Sequence, residues 1–304
     1  MLPGMDLLVG AVDGHVHACP HINARTVNVL DATRQAAAAG MRGIGLMDNF
    51  ANSSGMAALA MAELSDLSID VFGGLIMEPP AGGVSVEAVR IALAYGYGPE
   101  TGARYVSMPT HHTRNIARLE GRSPSYVDAC FYIPSSGELP DPLPEILELI
   151  AKRDVVLNTG HLSAEEAIRL VEGAKRRGVM RILVPCGGYP PEAIGEIAAA
   201  GAFAEFSFFF LTHATQVGLT HVDEEKHTGV SMTLREMVEA IRAATPQRAV
   251  LSSDLGLFVL PPPVEGFREF LVVLEQSGFS RKELQMMSAT NPTHLFRVRP
   301  RGQS

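Results

Sequence analysis

Two histidines in the segment Asp13-Gly14-His15-Val16-His17 could hold a metal ion. In an extended chain residues two apart point the same way, so His15 and His17 can converge on one ion while Val16 turns into the wall. An isolated His-x-His is more often just two solvated loop residues, so its neighbours decide. The chain carries ten histidines, at positions 15, 17, 21, 111, 112, 161, 213, 221, 227 and 294. All but His294 follow predicted strand ends, which favours a site on one face. The sharpest subset is His15, His17, His161 and Asp254, from predicted strands one, five and eight. Three neutral imidazoles and a carboxylate suit Zn2+ first, with Fe2+ or Mn2+ as alternatives. A carboxylate beside the ion can take a proton from coordinated water, whose pKa can fall to ~7 on zinc. Asp254 therefore reads as ligand and base, and His161 as a ligand within the catalytic group.

The elements that must position these residues alternate from end to end. Strand-like apolar runs cover 7–12, 43–47, 69–77, 104–108, 155–158, 181–184, 202–210 and 249–253. Helical periodicity follows over 26–39, 54–64, 86–95, 143–151, 164–177, 191–200, 234–243 and 264–276, with an extra helix over 281–289. Ser163 with Glu166 three residues on is a capping-box pattern that fixes one helix start. The stretch 113–140 reads as a long active-site loop, and 212–231, with His213, His221 and His227, as a solvated loop or substrate lid. Eight strand and helix pairs in order predict one (β/α)8 barrel spanning 1–304, with catalytic groups at the C-terminal ends of the strands. An open doubly wound sheet is the runner-up, but Gly14-His15-Val16-His17 lacks the Gly-x-Gly-x-x-Gly spacing such a sheet uses for phosphates.

Composition sets the limits. The 304 residues are 46% hydrophobic and 19% charged, enough for a large core. A net charge of -8 offers no basic stripe for nucleic acid and favours a small-molecule substrate. No apolar run approaches the ~18 residues of a membrane span. Cys19, Cys130 and Cys186 are too few and scattered for a disulfide framework, which points to the cytoplasm. The apolar run 206–211 leaves a homo-oligomer open.

Taken together, Asp13-Gly14-His15-Val16-His17, Thr159-Gly160-His161, Ser253-Asp254-Leu255-Gly256 and the closing Met287-Ser288-Ala289-Thr290-Asn291-Pro292 resemble the amidohydrolase superfamily over nearly the whole chain. The resemblance implies a distorted (β/α)8 barrel in which His15, His17, His161 and Asp254 hold the metal and Asp254 shuttles the proton. It implies a metal-activated water attacking an amide, a lactone or a related electrophile. Metal-dependent decarboxylation on the same fold, or a barrel that binds metal without catalysis, are the alternatives. Many members of that superfamily bridge two metals through a carbamylated lysine. Here Lys152, Lys175, Lys226 and Lys282 all lie away from predicted strand ends, so one tight ion is expected.

Further residues could touch a second metal or the substrate. Cys186 stands where relatives tend to carry a histidine, and a thiolate there could ligate or bridge. Glu78 could bridge a second ion, and so could Asp48, although capping suits Asp48 better. One of His111 and His112 can face the barrel mouth, since neighbours on an extended chain point oppositely. Glu205 sits inside an apolar run, where an unpaired charge is costly, so it should meet a metal-linked group or an arginine. Arg114, Arg118 and Arg122 could bind a carboxylate, or simply be solvated.

Overall fold

Strands buried on both faces need helices outside and a filled interior, and the alternation along each strand supplies both. In the computed structural model, which describes residues 2–98, 101–217, 219–220, 226–227 and 230–299, eight strands run parallel in sequence order around one sheet. They are β1 (Val12–Val16), β2 (Gly43–Leu46), β3 (Asp70–Ile76), β4 (Tyr105–Ser107), β5 (Val156–Asn158), β6 (Ile182–Pro185), β7 (Phe203–Ser207) and β8 (Ala249–Ser252). This is the expected α/β barrel. Along β6, Leu183 packs into the barrel interior while Ile182 and Val184 face the helices.

Val12, Phe72, Tyr105, Val156, Phe203 and Val250 join Leu183 in that interior, and the chain end closes it from below with Leu295, Phe296 and Val298. The Phe72 and Phe296 rings stack at 4.8 Å. Gly14 is required by this plug, because a Cβ there would stand 2.5 Å from the Phe296 ring. Outside, the helix Ala164–Arg176 starts on the expected Ser163/Glu166 capping box and buries Ala167, Leu170, Val171 and Ala174, a stripe at helical spacing. Among the described residues no helix is long and apolar enough to cross a membrane.

The barrel's last seam has no regular ladder. Val16 bridges Leu255, His17 N–H donates to the Leu255 carbonyl at 2.8 Å, and Asp254 N–H donates to the His15 carbonyl at 2.9 Å. The side chain of Asp13 adds a stitch, accepting from Ser253 N–H at 3.0 Å. The same residues that close the barrel thus carry the candidate ligands.

Four boundaries depart from the sequence reading. The first strand is Val12–Val16, not 7–12, because Met5–Leu8 forms a 3-10 turn whose Leu8 packs in the outer core. His15 is accordingly inside the strand. The stretch 113–140 holds two short helices, Arg114–Leu119 and Pro124–Ala129, capped by Thr113 and Ser123. The seventh strand ends at Ser207, and Phe208–Leu211 turns as a 3-10 helix, with Phe206 and Phe208 buried. The extra terminal helix runs Arg281–Gln285, passes through a π turn at Met286–Thr290, and ends as Asn291–Leu295.

Candidate metal centre

At the C-terminal end of the barrel, His15 Nε2 and His17 Nε2 each lie 3.2 Å from Asp254 Oδ1. Ligand atoms of these three residues all fall within 4.8 Å of one another. Donors around a tetrahedral zinc at ~2.0–2.1 Å stand roughly 3.3 Å apart, so this spacing fits one ion. The placement follows from the seam. β1 aims His15, the next residues aim His17, and the turn after β8 puts Asp254 in the left-handed region at φ 53. An aspartate tolerates that conformation better than most residues, and strain of this kind gathers at functional sites. Gly256 allows the turn to close, since a Cβ there would stand 1.8 Å from the His17 carbonyl oxygen.

Behind His15, Glu205 Oε1 meets Nδ1 at 3.2 Å. A carboxylate on Nδ1 holds the proton there and leaves Nε2 free for a metal, the supporting contact that metal-binding histidines commonly have. Glu205 therefore meets the His15 imidazole and not an arginine. Buried Asp13 Oδ2, His17 Nδ1 and Glu205 Oε2 have no hydrogen-bond partner among the described residues. The two carboxylate oxygens left without donors beside the imidazoles suit a cation.

The electrostatics agree. Burial depresses His15, but the Asp254 and Glu205 carboxylates outweigh it and raise the imidazole to about 9. Burial pulls His17 down to about 4 against its Asp254 contact, with Arg25 adding to the fall. Burial tends to raise Asp254, yet His15 and His17 beside it hold it below the usual carboxylate range. Asp13 is pushed up to about 7 by burial, despite hydrogen bonds from Ser253 and His15.

His161 is not in the three-residue group. Its N–H donates to the Pro109 carbonyl at 3.1 Å, and its imidazole is lowered by burial while feeling Asp254 and His15 through space. Of the four expected ligands, His15, His17 and Asp254 come together and His161 stands outside that group. His111 faces it at 6.3 Å between ring centres, whereas His112 turns to Tyr126 at 5.3 Å. His112 also lines a cavity of about 350 Å³ with Pro109, Cys130 and Tyr132.

The structure gives other work to the remaining candidates. Glu78, proposed as a bridge to a second ion, accepts from Thr110 N–H at 2.6 Å, Thr110 Oγ1 at 2.9 Å, His111 N–H at 2.5 Å and His112 N–H at 3.2 Å. It is a buried anchor for the loop that presents both histidines. Cys186, proposed as a ligand or bridge, is a buried thiol donating to the Val184 carbonyl at 3.2 Å, and burial pushes its pKa far up. Asp48 accepts from Phe50 N–H at 2.8 Å and so caps its own turn instead of the helix Ser54–Glu63. Arg114 stacks 3.5 Å over Tyr132, and Arg122 pairs with Glu120 at 3.0 Å. Lys152, Lys175 and Lys282 lie on helices, far in sequence from strand ends; the side chain of Lys226 and the residues His221 and 222–225 lie outside the described residues. His213 falls in a 3-10 turn. The sequence reading missed Asp13, which is nearly invisible there because an acidic residue beside Gly14 reads as a turn.

A family model described as a family of unknown function, DUF6282, matches residues 10–205. No curated protein matches the sequence. Among solved structures, the organophosphorus hydrolase from Deinococcus radiodurans superposes with a TM-score of 0.60 at 14% identity, covering 97% of this chain and 94% of that one. An amidohydrolase from Pseudomonas aeruginosa gives 0.60 at 11% identity, covering 98% and 99%. A structure described as organophosphate hydrolysis engineered from a weak promiscuous lactonase template gives 0.59 at 15% identity, covering 97% and 98%. At these identities the likeness is one of fold.

Proposed function

The chain belongs to the DUF6282 family, and from that footing we propose that it is a metal-dependent hydrolase of the amidohydrolase type acting on a small molecule. The observation that carries this reading is the convergence of His15 Nε2, His17 Nε2 and Asp254 Oδ1 at the strand ends, with Glu205 supporting His15. His15, His17 and Asp254 would hold one divalent ion, zinc by donor chemistry, with His161 as the fourth neighbour. When bound, such an ion supplies Lewis acidity to the electrophile and acidifies the attacking water.

The chain's own residues do the rest. Asp254 Oδ1 already contacts both imidazoles, and its carboxylate would accept a proton from water. Glu205 keeps His15 in the tautomer that presents Nε2. Glu78 holds the His111 and His112 backbone, setting His111 against His161. Hydrolases and lactonases of the same fold support this reading by analogy. Three unpaired cysteines suit a reducing compartment, which supports the cytoplasm.

The test pairs metal content with turnover on a panel of lactones, cyclic amides and esters. Asp254→Asn is expected to keep the fold and much of the zinc while turnover drops at least ~100-fold, the usual weight of a general base. Near-normal turnover at unchanged zinc content would move the proton transfer to another residue.

A further inference from the structure

Beside the candidate metal centre lies Arg25, a cation with no carboxylate at ion-pair distance among the described residues. Arg25 is tied to the Asp254 turn: Thr26 N–H donates to the Gly256 carbonyl at 2.8 Å, and Arg25 itself forms an antiparallel bridge with Leu257. Its Nε and Nη1 are buried and have no hydrogen-bond partner among the described residues. Its Nη2 approaches His21 Nε2 at 2.9 Å. That contact is not a hydrogen bond in the neutral ring. His21 Nδ1 accepts the Asn23 backbone N–H at 3.0 Å, so the ring proton sits on Nε2 and two donors face each other. Asp48 and Asp254 act on the guanidinium through space, and burial lowers its pKa. Two more donors on the same pair of loops, Asn23 Nδ2 and Asn52 Nδ2, are likewise buried and unpartnered.

A buried guanidinium is tolerated when its charge is closely paired and its N–H groups are bonded, and among the described residues Arg25 has no carboxylate in contact and two nitrogens unbonded. Four donor atoms on the loops after β1 and β2 call for an acceptor that comes from outside. Arginine's planar fork matches carboxylate and phosphate oxygens. We propose that Arg25 is the anchor of an oxyanion-binding subsite, with Asn23 and Asn52 on the same two loops as further donors, so that the substrate is an anionic small molecule carrying a carboxylate or phosphoryl group next to the bond that is broken. The inference rests on the hydrolytic reading for the word substrate, while the subsite itself stands on Arg25 alone. It replaces Arg114, Arg118 and Arg122 as the place where the substrate's charge is read.

The test is a binding titration on the full-length, zinc-loaded protein with three matched probes: benzoate, phenylphosphonate and neutral benzamide. Arg25→Met is expected to weaken the better of the two anions at least tenfold and to leave benzamide within twofold. Whichever anion binds tighter to the wild type identifies the group recognised. Arg25→Lys keeps the charge but not the fork and should weaken that anion at least threefold. Melting temperature supplies the independent readout. An arginine kept for ligand binding leaves Tm unchanged or higher in Arg25→Met, because a buried unpaired charge is removed. Equal anion affinity in wild type and Arg25→Met overturns the proposal, as does anion binding by neither. A lower Tm in both variants with unchanged anion affinity would mark Arg25 as structural and also overturn it. Failure of the wild type to take up zinc would sink the metal reading, while the Arg25 comparison would still be read on the same protein.

Discussion

The two ends of the barrel treat buried charge in opposite ways. At the N-terminal end Asp70 is almost fully matched: Arg104 holds its two oxygens at 2.6 and 2.8 Å, and Arg299 adds a contact at 3.0 Å and a backbone N–H at 2.8 Å. Arg181 pairs with Asp154 at 3.0 Å on the same side. At the C-terminal end Asp13 Oδ2, His17 Nδ1, Glu205 Oε2 and two nitrogens of Arg25 are left without partners among the described residues. A chain that can saturate its polar groups at one end and leaves them unsaturated at the other is showing where stability is made and where ligands go.

That contrast can be broken first at the saturated end. Asp70→Asn leaves two guanidinium groups without their carboxylate and should cost about 3 kcal/mol in urea unfolding, the scale for breaking a largely buried pair. It should leave zinc uptake unchanged. Burial works to raise Asp70, but the Arg104 hydrogen bond and then Arg299 hold it below the usual carboxylate value. Its stabilisation is therefore present above the unfolded pKa of about 4 and is lost as pH falls through the lower folded value. The stability gap between wild type and Asp70→Asn should close in acid. A gap that persists at low pH would mean that packing, not charge, holds this end.

A smaller effect is expected at the other end from Glu205→Gln. Removing the carboxylate behind His15 should weaken zinc affinity ~10–100-fold, as loss of a supporting contact does. The fold should survive, because Glu205 has an oxygen without a partner and a buried carboxylate is itself costly. Isothermal titration with zinc and a urea melt separate the two. Loss of stability with zinc affinity unchanged would place Glu205 with Asp70 as a structural charge. Between the ends, Gly14→Ala pushes a Cβ to within 2.5 Å of the Phe296 ring. Overpacking of that kind should cost about 1–3 kcal/mol in stability, and a structure of the variant should show Phe296 displaced.

Much of this contrast is legible in the sequence, and the illegible part has physical causes. His15, His17 and Asp254 can be grouped from the sequence because strand ends gather polar groups in a barrel and because alternate residues share a face. The first strand was misplaced by five residues: Leu7, Leu8 and Ala11 are apolar for outer packing, and an apolar run does not say which layer it serves. The helices within 113–140 were hidden by their length, six residues each, too short for a period to show. Glu78 and Asp13 were obscured because their partners are backbone N–H groups distant in sequence, which no local pattern records. Arg25 looks like any loop arginine until its burial is known. The saturated end could not be read at all, since Asp70, Arg104 and Arg299 meet only once the barrel closes.

The proposed chemistry centres on one ion at the seam between β1 and β8. A crystal structure of the zinc-loaded protein, with data at the zinc absorption edge, locates that ion directly. The expected result is one anomalous peak ~2.0–2.2 Å from His15 Nε2, His17 Nε2 and an Asp254 oxygen, with Glu205 still on His15 Nδ1. A peak at Cys186 or Glu78, or none within reach of His15 and His17 at full zinc loading, would contradict it.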